Sequence, residues 1–479
     1  MADNTKFFID GNWVAPLGGQ VIPVINPASE EVIGHITLGT AADVGRAVQA
    51  ARRAFHSYSR TSSKERVELL QSIISVFARR HDEVADLLTA EIGAPRAFAK
   101  NLQAATTLAH LQLAIEALQN REFWLQHSDR TIVQRDPIGV VGVITPWNWP
   151  LHQMMAKVAP ALAVGCTIVH KPSEIAPLTA HLMAEILAEA GLPAGVYNLV
   201  DGEGREVGRA ISSHAQIDMV SFTGSTAAGI DVAKHAADTV KRVHQELGGK
   251  SANIVLASAD LEKAVTENLY RLTMNTGQSC HAPTRLLVPA GRLEETKKIA
   301  KAVAETITVG DPTGDVHMGP LISKAHWERV QSLIQKGEEE GAEIVTGGTG
   351  APAGLTKGFF VKPTVFANVA NDMEIAQTEI FGPVLSIIAY ADDADAIRIA
   401  NDTRYGLAGF VQAGTDEEAE QIARELQAGM IFLNGAGEDL DAPFGGYKQS
   451  GNGREWGSRA LDEFLETKAI TRASPLTAT

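Results

Sequence analysis

The sequence predicts an α/β protein built as two doubly wound layer systems, with a small β element set outside them. Two observations carry that expectation. From Gly139 onward the chain repeats a strand, loop, helix texture, and its strand segments are continuous apolar runs such as Val140-Val141-Gly142-Val143-Ile144, the pattern of parallel strands covered on both faces. A chain of 479 residues is also too long for one ordinary core, so two or three domains are expected.

Taken in order, Phe7 to Val14 reads as a hairpin with Asp10-Gly11 at its turn. Apolar and charged positions alternate at helical spacing over residues 41–58, 63–80 and 81–92; Gly93-Ala94-Pro95 breaks the pattern, and residues 96–119 resume it. Residues 121–136 are polar and irregular, with a strand-like Thr131-Ile132-Val133, and read as an excursion from the main body. Strands follow at residues 140–144, 167–170, 196–200, 219–222 and 242–245, with a helix running to Ala190 after the Pro-rich Lys171 to Pro177. A second series opens after Gly249, with strand 253–256, helix 260–273, strand 285–288 and helix 292–307, and extends to about Phe432. Ala469-Ile470-Thr471 is a last β-prone run, and the residues from there to Thr479 otherwise read as a frayed tail.

Composition narrows the function classes. With 42 basic and 57 acidic residues the formal charge is -15, a poor match for nucleic acid or an anionic membrane. Two cysteines, Cys166 and Cys280, exclude a disulfide framework, and no Cys/His spacing suggests a metal site. The first residues lack a basic, then long apolar, leader, and the longest apolar stretch, Val158 to Val169, is too short for a span and contains Pro160 and Gly165. A reducing cytoplasm is the expected compartment.

Three loops concentrate the chemistry, each after an apolar run. They are Thr145-Pro146-Trp147-Asn148-Trp149-Pro150, Glu246-Leu247-Gly248-Gly249-Lys250, and Asn275-Thr276-Gly277-Gln278-Ser279-Cys280-His281. An amide, a carboxylate and a thiol so placed suit an oxyanion donor, a base and a nucleophile. Taken singly, each residue has a plainer reading: a lone cysteine is ordinarily a buried structural residue, as Cys166 is expected to be, a strand-end glutamate is ordinarily solvated, and an Asn before Trp-Pro is ordinarily a turn residue.

Together, and in this order, the three motifs resemble the aldehyde dehydrogenase superfamily, from the Phe7 hairpin to about Ala473. The resemblance implies a Rossmann-like NAD domain (residues 1–120 and 138–247), a catalytic α/β domain (248–447) and a bridging oligomerisation element (121–137 and 461–479), hence a homodimer or homotetramer. It makes Cys280 the nucleophile, Glu246 the hydrolytic base and Asn148 the oxyanion donor, and it offers Lys157 and Glu455 as a proton relay. For the cofactor, NAD, it implies Ile144, Trp147 and Ser225 along the pyrophosphate, and Phe222, Gly224, Gly229 and Leu247 around a strand-to-helix turn of GxxxxG spacing. Gly204 and Gly208 would lie beside the adenine, Lys171 and Glu174 at the adenosine ribose, and Glu379 and Phe381 at the nicotinamide ribose and ring. A carboxylate at Glu174 would repel a 2′-phosphate and favour NAD over NADP.

Trp149, Gln153, Ala156, Ser279, His281 and the loop from Gly435 to Asp441 are expected to line the aldehyde pocket. Ala156 would leave room for bulky or aromatic aldehydes, and Glu438, Asp439 and Asp441 would make its mouth anionic. Two other readings stay open: transfer of the acyl group to coenzyme A, against which Glu246 argues, and a binding or structural protein that keeps the fold without turnover.

Overall fold

The computed structural model describes residues 2–474 and has four β-sheets with helices packed on the two large ones. The expected hairpin, Phe7–Ile9 and Asn12–Val14, turns at Asp10 and Gly11 with φ of +55° and +75°, the left-handed pair that matches strand twist. Capping sets the helix starts. The Ser62 hydroxyl accepts from the Glu65 N–H while the Glu65 carboxylate accepts from the Ser62 N–H at 2.7 Å, opening the helix Ser63–Arg79. Gly93, at φ +70°, ends the helix His81–Ile92.

The first sheet has eight strands in the order Gly451–Asn452, Arg242–Glu246, Met219–Thr223, Val140–Ile144, Thr167–Lys171, Tyr197–Leu199, Phe7–Ile9, Asn12–Val14. Its five inner strands, from Arg242–Glu246 to Tyr197–Leu199, are parallel. The chain lays down Val140–Ile144 in the middle, steps outward on one side, then returns to the other, so strand order reverses beside Val140–Ile144. Crevices for ligands in such sheets lie outside the carboxyl ends of the strands at that reversal. Every residue of the helix Pro150–Val164 is buried, which places it in the first core and not on the surface.

The second sheet has seven strands in the order Glu343–Thr346, Thr364–Ala367, Val384–Tyr390, Arg285–Pro289, Ala252–Val255, Ala408–Gln412, Met430–Leu433, all parallel except the first. A separate apolar cluster fills its faces. Only Leu247 to Ser251 separate the last parallel strand of the first sheet from the first strand of the second. The carboxyl edge of one sheet is therefore held against the amino edge of the other.

Several elements differ from the sequence expectation. The excursion and the C-terminal run form a three-stranded antiparallel sheet, Trp124–Gln126, Thr131–Pro137 and Leu465–Thr471, longer than either β-prone triplet suggests. Charged partners at exposed positions, such as Lys468 on Asp136 at 2.7 Å, hid the strands from a hydrophobicity reading. Residues 461–464 are not part of that sheet, because Leu461 and Phe464 are buried in the first core. Beyond residue 447, Gly451–Asn452 adds a strand to the first sheet. A small sheet of Ala2–Asn4, Val32–Thr37 and Val21–Ile25 was not expected; Pro23 lies on one of its edge strands, where a missing N–H is tolerated. Of the tail expected after Ala469, residues 475–479 lie outside the described residues.

Among the described residues, no helix is long and apolar enough to cross a membrane, and no group of three metal-ligating side chains occurs. Cys166 is fully buried, its thiol meets the Phe464 carbonyl at 3.5 Å, and burial pushes its pKa up to about 12. Cys166→Ser should therefore lower stability by about 1–3 kcal/mol, seen as a lower Tm, with kcat unchanged. Native Cys166 should also resist alkylation.

Candidate active site

The Cys280 loop leaves the helix Leu261–Thr273 through three consecutive left-handed residues, Asn275, Thr276 and Gly277, with φ of +52°, +59° and +73°. That conformation costs non-glycine residues on the order of 1 kcal/mol each, so something must hold it. Thr276 donates to the Gly319 carbonyl at 3.1 Å, Gln278 Nε2 donates to the Asn275 carbonyl at 3.0 Å, and Gln278 Oε1 accepts from the Ile322 N–H at 3.0 Å. Gly277 packs on the Gly382 backbone and Gly249 on the Cys280 carbonyl oxygen, both too closely for a Cβ. The paired glycines after Glu246 thus serve the thiol loop directly.

Asn148 lies across from this loop. Its Nδ2 donates to the Gln278 carbonyl at 2.9 Å, and the neighbouring Trp149 indole donates to the Ser279 hydroxyl at 2.9 Å. The Asn148 carbonyl accepts from Asn275 Nδ2 at 2.9 Å and from Gln103 Nε2 at 3.2 Å. Gln103 sits in a π-turn, Ala99–Ala104, inside what the sequence presented as a regular helix. Such wide turns recur at functional sites because they re-aim a side chain.

Cys280 is half-buried. Burial pushes its thiol pKa well up, and the negative charges of Glu379, Glu246 and Glu438 add to the shift. Glu246 is 2 % exposed, with neither carboxylate oxygen hydrogen-bonded among the described residues. Burial, then the charge of Glu455, raises its pKa well above the carboxylate range. Lys157, wholly buried in the helix Pro150–Val164, makes an ion pair with Glu455.

The residues expected to face a cofactor gather at the crevice where strand order reverses. After the strand Met219–Thr223, Ser225 caps the helix Thr226–Ala236 by accepting from the Ala228 N–H at 3.3 Å. Gly224 lies against the Phe222 ring, and Gly229 against Leu247. Ile144 ends the neighbouring strand and Gly208 sits over it, whereas Gly204 faces open space. Lys171 pairs with Glu174 at 3.0 Å. Glu379 accepts from the Gly249 N–H at 3.0 Å, and burial lifts its pKa to about 7. Phe381, at φ +63°, meets the Trp147 ring edge-on at 5.4 Å. An open helix N-terminus beside close-packed glycines, with a carboxylate and ammonium at one end and an aromatic pair at the other, fits a dinucleotide.

Cys280 also borders a cavity of about 640 Å³ with Trp149, Gln153, His281 and Glu438 in its wall. Ala156 and Ser279 do not line it. Ala156 packs beneath Phe444 and Trp456, whose rings stack at 4.2 Å and take up the room its small side chain was expected to leave. The Ser279 hydroxyl is turned to the Trp149 indole. Nor is the mouth simply anionic: His281 Nε2 lies 2.7 Å from Glu438, and although burial alone would push that carboxyl up, His281 beside it holds its pKa down at about 2.

The family model described as the aldehyde dehydrogenase family matches residues 13–470. The chain belongs to the aldehyde dehydrogenase family. It is 52 % identical to 3-succinoylsemialdehyde-pyridine dehydrogenase of a Pseudomonas species, over 98 % of this chain and 99 % of that one. Among solved structures it resembles a cysteine-to-alanine mutant of aldehyde dehydrogenase C from Pseudomonas syringae, complexed with NAD⁺ and octanal, at TM-score 0.97 and 48 % identity, covering 98 % of each chain. It also resembles the Mycobacterium tuberculosis aldehyde dehydrogenase complexed with NAD⁺, at TM-score 0.96 and 41 % identity over the whole of both chains.

For this aldehyde dehydrogenase the motifs located the thiol, the amide and the carboxylate, but not what braces or encloses them. Gln103 carried no distinguishing signal, Asn275 stood in the thiol loop with no bracing role assigned to it, and the cavity walls Phe98, His152, Tyr270, Phe444 and Trp456 come from scattered segments. The close approach of Gly249 to Cys280 yields a direct test. In Gly249→Ala the new methyl overlaps the Cys280 carbonyl oxygen, so the loop must shift. A displacement near 1 Å costs about 10²-fold in rate, and we expect kcat/KM to fall by that order while the variant remains folded by circular dichroism.

Proposed function

We propose that this protein oxidises an aldehyde to the carboxylic acid with NAD, through a thiohemiacetal and then a thioester on Cys280. The observation that carries the reading is the thiol of Cys280 bordering a large cavity, braced against the Glu246 turn on one side and the Asn148 loop on the other. The Cys280 thiol gives up its proton to solvent, and its sulfur adds to the aldehyde carbon as the C=O pair moves onto oxygen. The C–H hydride would then leave to bound NAD, and the C=O re-forms as the thioester. The Asn148 amide and the Cys280 N–H receive the oxygen as it becomes negative, a contribution worth about 10²–10³ in rate per donor. When bound, NAD supplies the hydride acceptor and, at its nicotinamide, a positive charge that this carboxylate-ringed thiol lacks. Glu246 takes a proton from the water that attacks the thioester, the C–S bond breaks, and the acid leaves. Lys157 and Glu455 carry that proton outward. Free thiols of this kind suit a reducing cytoplasm.

In this reading residues 1–120 and 138–247 hold NAD, residues 248–447 carry the thiol, and the sheet of Thr131–Pro137 and Leu465–Thr471 bridges subunits of a homodimer or homotetramer. Lys171 and Glu174 take the adenosine ribose, Glu379 the nicotinamide ribose, and Phe381 with Trp147 borders the ring. The cavity suits a long apolar or aromatic aldehyde. Its walls include the aromatic rings of Phe98, Trp149, Tyr270, Phe444 and Trp456, and His281 with Glu438 offers a polar handle for a keto group or ring nitrogen. The relative named for a succinoylsemialdehyde of pyridine and the neighbour complexed with octanal both support that class.

Rapid mixing of the Glu246→Gln variant with NAD and aldehyde separates the steps. We expect a burst of about one NADH per active site followed by slow turnover, because the thioester forms before water is needed. Cys280→Ser should give neither phase while still binding NAD. If Glu246→Gln shows no burst although its Cys280 remains alkylatable, the base is needed earlier than hydrolysis. Coenzyme A should not accelerate the unmutated enzyme; an acceleration would favour acyl transfer.

Cofactor choice is tested separately. Steady-state kinetics should give a higher kcat/KM with NAD than with NADP, and Glu174→Ala should narrow the gap by removing the charge that repels a 2′-phosphate. Equal use of both cofactors by the unmutated enzyme would count against Glu174.

A further inference from the structure

His244 is a buried titratable residue that this chemistry leaves unused. It stands two residues before Glu246 on the strand Arg242–Glu246, so the two side chains leave the same face of the sheet. The residue is 2 % exposed, and neither ring nitrogen has a hydrogen-bond partner among the described residues. Nε2 lies 3.5 Å from Glu246 Oε1, and Nδ1 lies 3.8 Å from Glu455 Oε1. Gly453, at φ +81°, makes the space, because a Cβ there would overlap the imidazole.

Burial, reinforced by the positive charges of Lys157 and Arg454, keeps this ring neutral. A neutral imidazole has one N–H and one lone pair. Both ring nitrogens face carboxylate oxygens, and Nε2 is the nearer to its own, so an N–H at Nε2 is the one placed to serve Glu246. An ionised Glu246 at this depth needs a donor, and without one its charge carries the full penalty of desolvation. A shift of about half an ångström brings Nε2 into hydrogen-bond range of the carboxylate.

We infer that His244 is the positioning residue for Glu246: its Nε2–H donates to the ionised carboxylate and holds it ready to take a proton from the hydrolytic water. The inference rests on the proposed role of Glu246 as the hydrolytic base. The charged groups facing the pair are Lys157 from the helix Pro150–Val164, Arg454 and Glu455 from the segment after Asn452, and Glu463 from the helix Ala460–Glu463.

The test compares His244→Leu, which lacks a donor, with His244→Gln, whose amide keeps one, each alone and combined with Glu246→Gln. Stopped-flow burst amplitude and the pH profile of kcat are read with NAD and an aromatic aldehyde. Losing the donor raises the pKa of Glu246, so in His244→Leu the acid limb of kcat should move up by about one pH unit or more. The rate near pH 7 should fall about tenfold, and the burst should keep its full amplitude. His244→Gln should restore most of the limb. In the Glu246→Gln background neither substitution should change the residual slow rate. An unmoved limb in His244→Leu overturns the inference, as does a His244→Gln variant no better than His244→Leu. Should His244→Leu fail to fold, His244→Phe is the second donor-free variant. If Glu246→Gln alone hydrolyses the thioester at the unmutated rate, the base reading itself fails, and the His244 inference falls with it for that separate reason.

Discussion

The close packing of the Cys280 loop on the Gly248-Gly249 turn is the contact on which the rest of the site depends. Five residues, Leu247 to Ser251, join the last parallel strand of one sheet to the first strand of the next. A connection that short leaves no freedom in how the two sheet edges meet. Glu246 falls at the end of one strand because that strand must stop there, and the thiol loop lands on the turn because two glycines leave nothing for it to strike. A side chain at Gly248 would overlap the Glu379 carboxylate, and one at Gly249 the Cys280 backbone. One dipeptide thereby positions groups from both sheets.

Strain on the thiol side is the counterpart of that fit. Three left-handed residues in a row, two of them not glycine, persist only because the loop is pinned at several points by Thr276, Gln278 and Asn275. Asn275 Nδ2 bonds the Asn148 carbonyl, so the bond that holds the strained loop also fixes the amide opposite it. The Cys280 loop and the Asn148 loop are coupled through one side chain, Asn275.

How much of this was legible in the sequence depended on whether the signal was local. The apolar strands Val140–Ile144 and Thr167–Lys171 were plain, because burial on both faces leaves an unbroken run of residues. So were the Asp10-Gly11 turn and the three chemical loops, whose composition is unlike that of ordinary surface turns. Leu465–Thr471 was read only in part, since exposed Glu466 and Lys468 interrupt its hydrophobicity. The π-turn at Ala99–Ala104 left no trace, because its residues are good helix formers and the widening is imposed by what Gln103 must reach. Ala156 shows the limit most clearly: its small size was visible, but not that Phe444 and Trp456, some 290 to 300 residues further along, fill the space it leaves. His244 lay between these cases. Its register with Glu246 followed from strand periodicity, while its contact with Glu455 required the fold.

The site is also a concentration of buried carboxyls, and this has a thermodynamic consequence. Burial lifts the pKa of Glu379 to about 7 and raises those of Glu246 and Glu455, of which Glu455 is ion-paired to Lys157. A carboxyl whose pKa is higher in the fold than in the unfolded chain binds more protons folded than unfolded between those two values. Its contribution is therefore present at acid pH and is lost as pH rises from the usual carboxylate range to the folded pKa, near 7 for Glu379. Above that range, where these carboxyls would ionise in the fold, they weaken it. The surrounding structure offsets that cost through two large apolar cores, one on each sheet. Replacing Glu246 or Glu379 by a neutral isostere would relieve part of it, while removing a negative charge that bears on the Cys280 thiol.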